Sequence, residues 1–313
     1  MEKKGFFSTH AGAYCGLVLT FVLWGSLYVV TKVLLTSIPA FSVAFVRFFI
    51  AWLALTAYSH LHRNSAEASP SFRNDRNYRH CVLLLGVGGY GISVGMQLLG
   101  TKFAGSTVAS LINSLNPVSI SLMAAFLLHE PLTWRKILGT ALSAFGVFLI
   151  IGLGGQVNGP GVMLSLFSVI GWSLVSVLNR RGVTKYGALP VTRDAIGVAA
   201  CCNLVFCIIE SIWRGEIASW TPGALLGVAY MGVVCTGLTY ILWNRGLAIL
   251  PASNCSALYP IQPLTSALLG ILMFGEHIAF SFVVGAACVV AGILICLLWT
   301  GHSRNVEPAQ TAP

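Results

Sequence analysis

Ten apolar stretches follow one another along the chain with little polar sequence between them. They cover residues 12–35, 39–61, 81–100, 105–128, 134–153, 161–179, 193–213, 223–244, 251–274 and 280–299. A helix needs about 20 largely apolar residues to cross roughly 30 Å of hydrocarbon, and each stretch meets that length. The breaks carry turn chemistry: Ser37-Ile38-Pro39, Gly154-Gly155 through Gly159-Pro160, Gly187 to Pro190, Thr221-Pro222-Gly223 and Pro251. A polar loop from Asn64 to Asn77, broken by Pro70, and a tail from Gly301 to Pro313 carry no recognisable motif. The pattern predicts an all-α polytopic membrane protein with ten transmembrane helices.

Composition agrees. Of 313 residues, 56% are hydrophobic and 9% charged, with a mean hydropathy of +0.83. A soluble protein is about a quarter charged, so a water-soluble enzyme or a DNA-binding factor is excluded. The net charge of +9 then reads as topology. With the amino terminus in the cytoplasm, that side receives Lys3, Lys4, Arg63, Arg73, Arg76, Arg79, Arg135, Lys136, Arg180, Arg181, Lys185, Arg193, Arg245 and Arg304. The outside receives Lys102 and Arg214, while Lys32 and Arg47 fall within spans. Basic residues accumulate on the cytoplasmic side, so both termini are expected there. The first apolar run is too long for a cleaved signal peptide and reads as a retained helix. Nine cysteines, nearly all in apolar runs and without a Cys-x-x-Cys pair, read as packing residues rather than as a metal or redox site.

A shift of 146 residues superimposes the two halves. It pairs Gly86 with Gly232, Gly91 with Gly237, Gly100 with Gly246, Ser110 with Ser256, Pro117 with Pro263, Glu130 with Glu276, Gly139 with Gly285 and Gly146 with Gly292. Glycine matches come cheaply in a chain with 33 glycines, but the proline and glutamate matches in one register do not. Five helices per repeat is an odd number, so the second repeat enters the membrane inverted, as in many secondary transporters. The expected organisation is a cytoplasmic amino terminus (1–11), a first repeat (12–153), a second repeat (161–299) and a cytoplasmic tail (300–313).

Trp24-Gly25-Ser26 followed by Lys32 and Arg47 resembles the opening of an EamA-type repeat of the drug/metabolite transporter superfamily. Ala109 to Pro117, Glu130-Pro131-Leu132, Gly139 and Gly146 continue the resemblance, and Trp172-Ser173, Pro263, Glu276, Gly285 and Gly292 supply the second copy. The resemblance covers almost the whole chain. It implies ten helices, cytoplasmic termini and movement of small metabolites, often by export. Asn179 and Arg180 stand near where Lys32 would repeat, and Arg47 has no clear counterpart, so the halves are not expected to bind equivalently.

The fourth span holds Ser110, Asn113 and Asn116 before Pro117; the ninth holds Ser256, Tyr259 and Gln262 before Pro263. A spacing of three sets each trio on one helical face. A polar stripe at membrane depth must face other helices or a polar path. Each proline frees the carbonyl four residues earlier, at Asn113 and Tyr259, for substrate or for a hinge. Gln97 on the third span and Tyr240 and Asn244 on the eighth are placed to complete the cavity. Trp24 and Trp172 sit mid-span, whereas Trp134, Trp213, Trp220 and Trp299 mark ends like an aromatic belt. An indole at mid-membrane needs a partner for its N–H or lines something polar. Helix–helix glue is the plain alternative for all of these residues.

Lys32 is placed to snorkel, and Arg47, deeper, to meet carbonyls or an anionic group. Glu210 is the only acidic residue within reach of the membrane interior, near a helix end. The lack of a deep carboxylate favours neutral, zwitterionic or anionic cargo over cationic drugs. The Glu130 and Glu276 carboxylates read as helix-end partners, with His129 and His277 beside them on opposite surfaces. Together these features predict a secondary transporter of a small metabolite, an amino acid or related compound, working by alternating access and by export. Multidrug efflux is the runner-up; a lipid or sugar-lipid translocator and an intramembrane enzyme are the rivals from other classes. No cofactor, metal or nucleic acid is expected. The partners are the bilayer, the small-molecule substrate and a coupling ion or proton left open, with the oligomeric state undetermined. Short loops and the absence of organelle signals point to a bacterial plasma membrane.

Overall fold

The computed structural model describes residues 9–61, 75–113, 115–151, 159–214, 220–274 and 280–298. Among these residues it is all-helical. The elements are α1 (His10–Leu34), α2 (Ala40–Leu61), α3 (Arg76–Leu83), a π-helical segment (Leu84–Ser93) running into α4 (Val94–Asn113), α5 (Asn116–Leu128) and α6 (Trp134–Ile151). The second half has α7 (Gly159–Tyr186), α8 (Ala188–Arg214), α9 (Pro222–Gly232), a second π segment (Val233–Leu238) running into α10 (Thr239–Ile249), α11 (Ala252–Ser256), α12 (Ile261–Phe274) and α13 (Phe280–Leu298). Six described helical runs are long and apolar enough to cross a bilayer. Large apolar side chains cover the outside, Ile212, Leu226 and Phe126 among them, as a lipid-facing surface requires.

The internal shift survives in three dimensions. Moved by 146 residues, α6 falls on α13, α5 on α12, and the first π segment covers the second. The α6–α13 interface shows how the halves relate. A Cβ on Gly146 would lie 2.5 Å from the Gly285 carbonyl, and one on Gly292 would lie 2.4 Å from the Gly139 carbonyl. The Ser143 hydroxyl donates to the carbonyl of Val289, its own counterpart, at 3.4 Å. Late residues of one helix meet early residues of the other, reciprocally, which is the signature of a two-fold axis between antiparallel helices. The repeats are inverted. Because the backbones touch here, Gly292→Leu will overpack the seam by about 1–3 kcal/mol and lower the thermal midpoint of the purified protein; an unchanged midpoint would show the seam is loose.

Several elements differ from the expected spans. The fourth and ninth spans are not single helices. Asn113 ends α4 and Asn116 begins α5, with Pro117 in its first turn, while α11, a turn and α12 share the ninth. Proline lacks the N–H an interior position needs but suits a helix start, so each proline starts a new helix instead of kinking an old one. The trios therefore do not lie on one continuous face. The third span begins earlier, at Arg76, because Asp75 caps it by accepting from the Asn77 N–H at 2.9 Å. The Tyr186 hydroxyl also donates to Asp75 at 2.6 Å and holds its carboxyl below the usual value. Likewise α7 runs seven residues past its expected end at 179, to Tyr186. Gly187 alone separates it from α8, at φ +87°, a conformation that favours glycine. Most of the polar loop, Lys3, Lys4 and the tail lie outside the described residues.

Each π segment answers its wide turn with a hydroxyl. Ser93 donates to the Gly88 carbonyl at 2.7 Å and Thr236 to the Met231 carbonyl at 2.8 Å, both five residues back.

Candidate functional site

At the centre of the bundle lies a small cavity of about 60 Å³, lined by both polar and aromatic side chains. Its position follows from the helix crossings: α1, α2 and α4 of the first repeat face α7, α10 and the α11–α12 turn of the second. Trp24 anchors it. The indole N–H donates to the Thr239 hydroxyl at 2.9 Å and the Cys235 carbonyl at 3.1 Å. Its ring meets Phe21, Trp172 and Tyr240 edge-on at centroid distances of 5.5, 5.8 and 5.8 Å, the geometry aromatic quadrupoles favour. The Trp172 N–H donates to the Tyr259 hydroxyl. Thus the two mid-span indoles are satisfied and form a wall of the cavity.

Polar groups line the rest. Gln97 donates to the Tyr28 hydroxyl at 2.9 Å and Asn113 donates to the same oxygen at 3.0 Å. The Asn116 amide donates to the Asn113 carbonyl at 2.9 Å. The Gln262 N–H donates to the Tyr259 carbonyl at 2.9 Å. The two carbonyls freed by the prolines are therefore taken up locally and do not wait for a substrate. Arg47 is 3% exposed, with its guanidinium 4.8 Å from the Phe48 ring centre and beside the Tyr240 phenol.

Of the residues singled out in the sequence, Trp24, Arg47, Gln97, Asn113, Asn116, Trp172, Tyr240, Tyr259 and Gln262 line this cavity. Ser256 does not: it ends α11 fully buried and donates to the Ser253 carbonyl at 3.0 Å. The side chain of Ser110 lies outside the described residues. Asn244, expected to complete the cavity, does not line it: it is a fully buried hub elsewhere, donating to Thr192 and Tyr90 and accepting from Asn179. Lining residues that sequence reasoning missed are Leu27, Tyr28, Ser93, Val94 and Ser168. Tyr28 and Ser168 had a usable signal, since each lies four residues from a mid-span tryptophan, on the same helical face.

The model of the EamA-like transporter family matches twice, over residues 11–152 and 159–298. The chain belongs to the EamA-like transporter family. It is 24% identical over 285 residues to the uncharacterized transporter YoaV of Bacillus subtilis, covering 90% of this chain and 94% of that one. An uncharacterized transporter of Archaeoglobus fulgidus is 22% identical over 284 residues, covering 89% and 95%. A solved crystal structure shares the fold with a TM-score of 0.77 at 21% identity, covering 93% of this chain and 98% of that one. This EamA-like transporter is a multi-pass membrane protein, and its relatives are named as transporters, not enzymes.

In this EamA-like transporter one end of the bundle is rich in Arg and Lys, and there the two repeats are tied together. Glu130, after α5, accepts from the Ala252 N–H at 2.9 Å, the Ser253 N–H at 3.2 Å and the Ser253 hydroxyl at 2.7 Å. It also pairs with Arg180 of α7 at 2.7 Å. Lys136 donates to the Ser253 hydroxyl at 2.7 Å. Glu130 was expected to complement the next helix, α6, but it caps α11 of the other repeat. The start of α6 is served by the Thr133 hydroxyl, accepting from Lys136 N–H. His129, at φ 53°, makes the sharp exit from α5 that carries Glu130 across. Glu276 and His277 lie outside the described residues. Glu210 accepts from the Phe41 N–H at 2.8 Å, at the start of α2, a capping role. Lys32 is exposed in the last turn of α1, as snorkelling requires.

Proposed function

We propose that this protein is a secondary transporter that moves a small metabolite, an amino acid or related compound, across the plasma membrane by alternating access, in the direction of export. The observation that carries the reading is a central cavity lined by both inverted repeats, which the Glu130–Arg180–Ser253 tie joins at the basic end of the bundle. Inverted repeats give a carrier its two faces, because exchanging the conformations of the halves turns one opening into the other. The abundance of basic residues at the tied end supports placing that end, and both termini, in the cytoplasm. Segments 12–153 and 161–299 are the two moving units, with Pro117 and Pro263 as the hinge points.

No described lining residue is acidic, which favours this reading over multidrug efflux, where cationic cargo wants a carboxylate. Counterflow in proteoliposomes tests it, with a panel of amino acids, sugars, nucleotides and cationic dyes. Saturable exchange of one class is expected. Gln97→Ala and Asn113→Ala should each raise the half-saturating concentration about tenfold, the equivalent of roughly 1.4 kcal/mol. Exchange untouched by both variants would remove the cavity as the site.

A further inference from the structure

Two polar atoms on the cavity wall have no partner. Among the described residues, the Arg47 Nε and the Asn116 Oδ1 are buried without a hydrogen bond, on residues that are each 3% exposed. No described carboxylate pairs with Arg47. The assignment of oxygen and nitrogen on Asn116 is fixed by its neighbour: the amide nitrogen faces the Asn113 carbonyl at 2.9 Å, so the oxygen is the unpaired side. A buried cation without a counter-ion and a buried acceptor without a donor are each costly. Natural structures leave few such groups, and those that persist call for an explanation such as a function. Asn116 also opens α5, whose amino-terminal end adds positive field to that of Arg47.

We propose that Arg47 and Asn116 are the specificity-determining pair of the transported molecule: the guanidinium takes a carboxylate, and the Asn116 oxygen accepts from a donor on the neighbouring carbon. This rests on the carrier reading of the same cavity and narrows its cargo to 2-amino or 2-hydroxy acids with an apolar side chain against the Trp24–Trp172 wall. Amines, amides, esters and plain carboxylic acids are refused. The amide oxygen is neutral and accepts from an ammonium or a hydroxyl alike, so the shared chemistry is the acid with its adjacent donor.

The test compares four molecules with one side chain, L-leucine, L-2-hydroxy-4-methylpentanoate, 4-methylpentanoate and 3-methylbutylamine, by calorimetric titration of the purified protein. At least one of the first two should bind ten times or more tighter than both the plain acid and the amine, and comparing those two tells an amino from a hydroxy cargo. Arg47→Gln should weaken that binding at least tenfold, and Arg47→Lys should recover part of it. Asn116→Leu should erase the preference over 4-methylpentanoate. Binding of the amine as tight as that of the preferred acid would overturn the role of Arg47, and equal binding of the plain acid would overturn that of Asn116. If none of the four binds while counterflow of another solute class proceeds and responds to Gln97→Ala, the inference falls and the carrier stands. Absence of counterflow for every class removes both.

Discussion

Glu130→Ala will open the basic end of the bundle. The variant loses the acceptor of two backbone N–H groups and a hydroxyl, together with the partner of Arg180. Glu130 is 7% exposed on its side chain and Arg180 is 29% exposed, so solvent screens part of the loss. The remaining cost is about 2–4 kcal/mol, read as a lower unfolding midpoint in detergent. A second reading is more specific. Cys255, fully buried just beyond the tie, should gain reactivity toward a maleimide, measured residue by residue by mass spectrometry. Glu130→Gln keeps one acceptor oxygen and should fall between the parent and Glu130→Ala. Cys255 labelling at the parental rate in both variants would show that the tie does not hold this end shut.

Trp24→Ala removes the ring on which the cavity wall is assembled. Five aromatic neighbours lie within 6.1 Å of its ring centre, and the lost packing should cost about 3–5 kcal/mol, as for large-to-small changes elsewhere. Substrate exchange should fall to background. Trp24→Phe keeps most of the packing and loses the two bonds of the indole N–H. Since Thr239 still donates to the Cys235 carbonyl at 2.7 Å, neither group is stranded, and the cost should be about 1 kcal/mol. If Trp24→Ala unfolds at the parental temperature, the wall is assembled without it.

Much of this was legible from the chain itself. The repeat register is a property of spacing, and spacing passes unchanged into the structure, so the 146-residue shift alone pairs α6 with α13. Nine lining residues were legible because a polar or indole group at membrane depth has few places to go. What failed was continuity. Asn113, Asn116 and Pro117 were read as one helix because periodicity cannot distinguish a helix from two helices meeting at a proline. Ser256 fell with that error, since its face depended on a helix that ends there. Glu130 was misassigned for a different reason: a carboxylate's nearest helix end in sequence was α6, but the left-handed turn at His129 aims it at α11, 122 residues on. Tyr28 was legible in principle, one turn beyond Trp24, but a lone tyrosine in an apolar run looks like any other aromatic.

The π segments set where this chain tolerates a change of length. A π turn carries a surplus residue within an otherwise α-helical run, and both runs are followed by cavity residues, Gln97 after the first and Tyr240 after the second. Losing a residue from 84–93 or 233–238 removes the surplus and leaves the phase beyond it intact. Losing one anywhere else in the same helices turns every later side chain by about 100° and faces these residues away from the cavity. A chain edited by deletion therefore has two short windows, at corresponding places in the two halves, in which its length and its geometry are uncoupled.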